Sequence, residues 1–245
     1  MSRVYTDTLE PRKPTQDITL GTAGETISVG ANSINVNTVA DKGGNTLWTS
    51  DGSGVLSSVN SGLKSNLSLL TTNDFSGSSG VAFTTKIDST YDAYCFKFIN
   101  IHTNDASVTR LAFQCNAVGE TGYNETITSS AIYCQHSEAD ATGLGYDTGQ
   151  NQAQGTSYQS FTGIGPGPDA DMSYDGELWL FTPSGTTYVK HFYTDGNTYQ
   201  KSSPSDYSNR IMVGGYINTT AAIDDINFKA LAGTIDGTIK LYGLL

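Results

Sequence analysis

YDAYCFKFINI, residues 91–101, places Tyr94, Phe96 and Phe98 on one face of an extended strand, and Cys95, Ile99 and Ile101 on the other with Lys97 between them. A strand apolar on both faces belongs in the middle of a sheet that is covered on both sides. Working outward, similar strand patterns recur at residues 81–87, 107–115, 125–135, 157–162, 176–182, 186–193, 210–218, 223–231 and 234–243. Thr182-Pro183-Ser184-Gly185, between GELWLF and TTYVKHFY, has the turn chemistry of a hairpin. About nine or ten short strands with regular turn signals and no amphipathic helix predict an antiparallel β-sandwich, with a jelly roll as the expected topology. The chain is thus read as all-β, with a sandwich over residues 81–245.

Upstream the pattern weakens. Residues 17–58 hold apolar residues only in short alternating pairs, Ile18 with Leu20, Ile27 with Val29, and Ile34 with Val36, separated by Gly, Asn, Asp or Ser. Strands so short bury too little to offset the entropy of ordering them. Such a segment lies on a larger body, or three copies wind together and share their apolar faces. These six residues are therefore the expected subunit or particle interface. Residues 1–16 carry Pro11 and Pro14 around Arg12 and Lys13 and read as an extended anchoring arm. Residues 17–80 are the expected shaft and linker. Within them Leu63, Leu67, Leu69 and Leu70 fit a short helix or a strand.

Composition narrows the function classes. The net charge of -11, from 13 Lys plus Arg against 24 Asp plus Glu, gives no basic field for phosphates, so nucleic acid is not an expected partner. No apolar run is long enough for membrane insertion or a signal peptide, which predicts synthesis in a cytosol. Cys95, Cys115 and Cys134 are odd in number and lack paired C-x-x-C arms, so they read as small buried hydrophobes, with a zinc site as the alternative.

The scan for chemistry yields candidates with bland alternatives. Asp169, Asp171, Asp175 and Glu177 could supply the two carboxylates of a glycoside hydrolase or the oxygens of a calcium site. A solvated acidic loop has the same spacing, and no catalytic residue is assigned. His102, His136 and His191 have no metal-ligand spacing, and the glycine runs at 143–145 and 163–167 lack the strand-then-helix context of a phosphate loop. No cofactor or metal is expected. Tyr146, Tyr158, Tyr174, Tyr199 and Tyr207 lie in or beside polar loops and suit sugar rings; alternatively they cap the core with their hydroxyls in water.

The segments MSRVYTDTLEPRKPTQDITLGTAGETISV, YDAYCFKFINIH, GELWLFTPSGTTYVKHFY and DGTIKLYG resemble a group of tailed-phage virion proteins common in marine viral sequences. That group is structural and tail-fibre-like. The resemblance covers nearly the whole chain but identifies no catalytic site. It implies a non-enzymatic virion protein made in the host cytoplasm. Its weak N-terminal β-segments would form a trimeric shaft or dock on the particle, and a sandwich head would face outward. The implied partners are two further copies of the chain, other capsid or tail proteins, and a host-surface glycan. Two other readings stay open: a capsid decoration or head-fibre protein that stabilises the shell, and a carbohydrate-active enzyme on the sandwich.

Overall fold

A computed structural model of the chain describes residues 36–53, 56–60, 66–104, 109–200 and 205–245. The chain divides into two compact units between residues 63 and 64. The arm expected at residues 1–16, together with Ile18, Leu20, Ile27, Val29 and Ile34, lies outside the described residues.

The first unit holds a three-stranded antiparallel sheet, β1 (Thr38–Ala40), β2 (Thr46–Ser50) and β3 (Leu56–Val59), in that order. Asp41 sets its first turn, with Oδ1 accepting the N–H of Gly43 and of Asn45, each at 2.8 Å. Gly44 follows at φ +83°, where a side chain would be strained. No described side chain of this unit is buried. Leu47, Trp48 and Val59 are only half covered, Leu56 is 50% exposed and Val36 is 40% exposed.

The second unit is a β-sandwich with no helix among the described residues. One layer contains β4 (Leu67–Ser78), β15 (Ile235–Leu244), β6 (Ala93–Thr103) and β11 (Tyr174–Phe181), side by side in that order. The facing layer is β5 (Val81–Phe83), β14 (Ile223–Ala230), β7 (Leu111–Ala117) and β10 (Gln159–Ser160). All neighbours are antiparallel. This arrangement is the eight-strand jelly roll of two Greek keys. Two insertions widen the first layer: β8 (Ile127–Ser137) with β9 (Thr142–Tyr146) enters between β7 and β10, and β12 (Lys190–Gln200) with β13 (Tyr207–Ile217) enters between β11 and β14. The widened layer runs β4-β15-β6-β11-β12-β13-β8-β9, so β8 and β9 reach it only through β13.

Between the layers lies an aromatic core. Phe228 on β14 meets Phe83 at 6.0 Å, Phe96 at 5.0 Å, Phe98 at 5.1 Å and both Phe113 and Phe161 at 6.4 Å, measured between ring centres. All five pairs are tilted or edge-to-face, the geometry that the ring quadrupoles favour. Lys190 is buried as well. Its ammonium donates to the carbonyls of Tyr188, Thr220 and Thr219 at 2.8, 3.3 and 3.5 Å, and burial lowers its pKa.

The structure corrects several expectations. The segment 66–80 is not linker. β4 pairs with β15 from Leu67 to Ser78, so the division falls at residues 63 and 64 and not at 80 and 81. Ile101 belongs to the core face, because β6 carries one extra residue around Asn100, which sits at φ +50° and shifts the register against both neighbours. Such a bulge reverses the alternation beyond it. Between the strands expected at 125–135 and 157–162 lies a further strand, β9, and the strand expected at 186–193 runs on as β12 to Gln200.

The cysteines divide. Cys95 and Cys115 are buried and Cys134 is exposed. Burial pushes the Cys95 thiol up to about 12 and raises that of Cys115 as well. A disulfide reagent is therefore expected to titrate one thiol per folded chain and three after denaturation. Three rapid equivalents from the folded protein would contradict this core.

Candidate functional site

The outward face of the widened layer gathers the densest set of functional groups. Along β11, Leu178 and Leu180 are buried, which leaves Asp175, Glu177, Trp179 and Phe181 on the opposite face. Along β12, Phe192, Thr194 and Thr198 are buried, which turns Tyr193, Asp195 and Asn197 outward. Register sets Trp179 between Cys95 and Tyr193, and Glu177 between Lys97 and Asp195. On β13, Gly214 opposes Tyr193 and Arg210 opposes Asn197.

Three rings lie nearly parallel there. Trp179 is 6.4 Å from Phe181 and from Tyr193, with interplanar angles of 16° and 22°. Phe181 and Tyr193 are 6.0 Å apart at 33°. Tyr193 is 38% exposed, and the space a Cβ on Gly214 would enter is open to 4 Å.

Beside the rings runs a groove of about 430 Å³ lined by Lys97, Asp175, Glu177, Asp195, Asn197 and Arg210. Four of its five charges are paired. Lys97 Nζ meets Glu177 Oε2, and Trp179 Nε1 donates to Glu177 Oε1 at 2.9 Å. Arg210 Nε donates to Asp195 Oδ1 at 2.8 Å, and its Nη2 reaches Oδ2. These bonds hold the Asp195 carboxyl below the usual carboxylate range. Asp175 Oδ1 accepts the N–H of Asn100 at 2.8 Å, which ties it to the bulge.

The floor is the register pair Gly176 and Gly196. A Cβ on either would come within 2.4 Å or 2.3 Å of the Tyr174 hydroxyl. Tyr174 is thus a core residue, 1% exposed, with burial raising its pKa. The expectation that it contacts a glycan is corrected, because β11 begins at Tyr174 and turns that ring inward.

The other four tyrosines reach three places. Tyr146, 52% exposed, lines a polar depression of about 310 Å³ with Arg110, Tyr133, Asp147, Gln150 and Asn209. Its hydroxyl accepts from Asn151 Nδ2 at 3.0 Å. Tyr199 and Tyr207 line another, of about 460 Å³, with His136, Glu138 and Asp140. Tyr199 donates to Asp206 Oδ2 at 2.6 Å. Tyr158 lies by the smaller layer, with its hydroxyl 3.2 Å from Asn227 Oδ1 and Lys229 Nζ 4.2 Å from its ring centre.

Among the described residues no group of three or more His, Cys, Asp or Glu is placed to hold a metal ion. The histidines are separated: His102 Nδ1 is 3.1 Å from the Met172 carbonyl, His136 Nε2 is 3.0 Å from Asp140, and His191 packs edge-on against Tyr216.

Sequence reading passes over the ring row because GELWLF is apolar at both parities. One usable signal exists: Glu177, Trp179 and Phe181 share a parity, so a carboxylate and two aromatic rings fall on one face of the strand. Comparison with protein-family models, with curated proteins and with solved structures gives no match.

Proposed function

We propose that this chain is a non-enzymatic structural protein of a bacteriophage virion, a small trimeric fibre or spike. Its N-terminal unit joins subunits and docks on the particle, and its jelly roll is presented to the host surface. One observation carries the reading: no described side chain of the β1–β3 sheet is buried, although Leu47, Trp48, Leu56 and Val59 are apolar. A sheet none of whose described side chains is buried gains an interior by packing against copies of itself or against a larger particle. On the sandwich, two of the three groove carboxylates, Glu177 and Asp195, are held by cations and the third, Asp175, accepts the Asn100 N–H, which suits recognition better than proton transfer.

Sedimentation tests the trimer. The intact chain is expected at three times its 26.0 kDa mass, and a fragment of residues 64–245 at a single folded copy. An intact chain that sediments as a monomer overturns the trimeric reading. The decoration-protein variant of the same proposal differs in stoichiometry and would show as hundreds of copies per particle.

A further inference from the structure

We infer that the outward face of the eight-stranded layer binds a neutral saccharide, with pyranose rings against Trp179, Phe181 and Tyr193 and hydroxyls in the ion-paired groove beside them. The inference rests on the attachment role above and supplies its ligand class.

Trp179 and Phe181 are partly buried and Tyr193 is 38% exposed, so a row of three rings, two of its pairs stacked, still turns part of its surface to solvent. The C–H face of a pyranose is the complementary partner, because its positively polarised hydrogens meet the negative face of the ring. Lipid tails would also cover apolar rings but would not use what adjoins them, and a protein surface that did so would show in the sedimentation arm of the test below.

The groove offers fixed donors and acceptors of both kinds. Arg210 spends two of its donors on Asp195 and keeps others, and each paired carboxylate retains unused lone pairs. Neighbouring sugar hydroxyls donate and accept at that spacing, so one carboxylate–guanidinium pair can take two of them. Because the partners lock each other, little side-chain entropy remains to be lost on binding.

Charge decides between sugar classes. Lys97 cancels Glu177 and Arg210 cancels Asp195, which leaves Asp175 and a chain at -11. Anionic glycans are repelled by this balance, and neutral ones are not. Gly214 supplies room, since the open space beside Tyr193 admits a ring edge where any larger residue would fill it.

The test uses the full chain with Trp48→Phe, which leaves Trp179 as its one indole. Cellohexaose, laminarihexaose and mannohexaose are titrated separately while tryptophan emission is followed. At least one is expected to give a saturable change. Tyr193→Ala is expected to weaken it about tenfold, as the loss of one stacked ring implies, and Gly214→Leu to abolish it by filling the gap. Val118→Ala, at an exposed position just after β7 of the other layer, is expected to leave it unchanged. Both ring-face variants sit at solvent-facing positions, and circular dichroism checks that they fold.

No saturable change with any of the three sugars overturns the inference. So does a change indifferent to Tyr193→Ala and Gly214→Leu, or a Tyr193→Ala chain that binds as before but no longer sediments as the intact chain does, which would give the face to a subunit contact. The two proposals fail separately. A trimer that binds no sugar sinks this one alone, and a monomer that binds sugar sinks the trimer alone.

Discussion

Phe228→Ala is expected to lower the free energy of unfolding by about 3–5 kcal/mol, as removing a buried phenylalanine does when the site cannot collapse. It cannot collapse here. Phe228 touches Phe83, Phe96, Phe98, Phe113 and Phe161, which come from both layers and are themselves buried. Relaxation toward the hole would have to draw two sheets together, and their separation is set by the remaining rings. Against a typical total stability of about 5–15 kcal/mol the loss is large. Urea unfolding followed by tyrosine and tryptophan emission reads it as a lower midpoint with an unchanged slope. Leu144→Ala, at a position 79% exposed, serves as the control and is expected within about 0.5 kcal/mol of the parent. A Phe228→Ala loss below about 1 kcal/mol would mean that the rings do not form one interlocked core.

Adjacent glycines on β13 supply the second large effect and its contrast. A Cβ on Gly215 would come within 2.4 Å of the Thr128 carbonyl oxygen and 2.8 Å of the Ser129 Cβ, both on β8. The oxygen is backbone, so the clash is relieved only by moving one strand from the other. Because β8 and β9 join the layer solely through β13, that movement loosens both. Gly215→Ala is therefore expected to destabilise by about 3 kcal/mol or more, at the upper end of overpacking effects. Gly214→Ala enters open space and removes a strand glycine, so it is expected to be neutral or to stabilise by about 0.5–1 kcal/mol. Thermal unfolding of the pair decides the matter, and equal shifts would refute the close approach of β13 to β8.

Much of the sandwich is legible in the sequence because its core strands alternate cleanly. Tyr94, Phe96 and Phe98 mark the inner face of β6, and the turn at 182–185 joins β11 to β12 with Gly185 N–H donating to the Thr182 carbonyl at 3.0 Å. Legibility fails where a residue's environment is set by distant chain. β4 reads LSLLTTNDFSGS and looks like linker because it lies at the sheet edge, where only Leu70 and Phe75 pack against the core. The reversal at Asn100 leaves no mark on an apolar pattern, although asparagine is among the side chains that best tolerate a left-handed backbone. The candidate site is assembled from residues between Lys97 and Arg210 on four strands. In β11 both parities are apolar, and which one meets the solvent depends on where the facing layer lies. Composition singles out loop tyrosines, whereas the structure builds the row of Trp179, Phe181 and Tyr193 on strands.

Jelly-roll order makes β4 and β15, the first and last strands of the sandwich, neighbours, with Leu245 N–H donating to the Asn66 carbonyl at 3.3 Å. The polypeptide therefore enters and leaves this domain at one corner. A domain with that geometry can be spliced into a surface loop of another protein without prising the loop open, and anything fused behind Leu245 would emerge beside the point of entry. Rejoining the ends and reopening the chain at the 182–185 turn would keep every ladder intact, so the fold is a portable cassette whose orientation on a carrier is set by a single point of suspension.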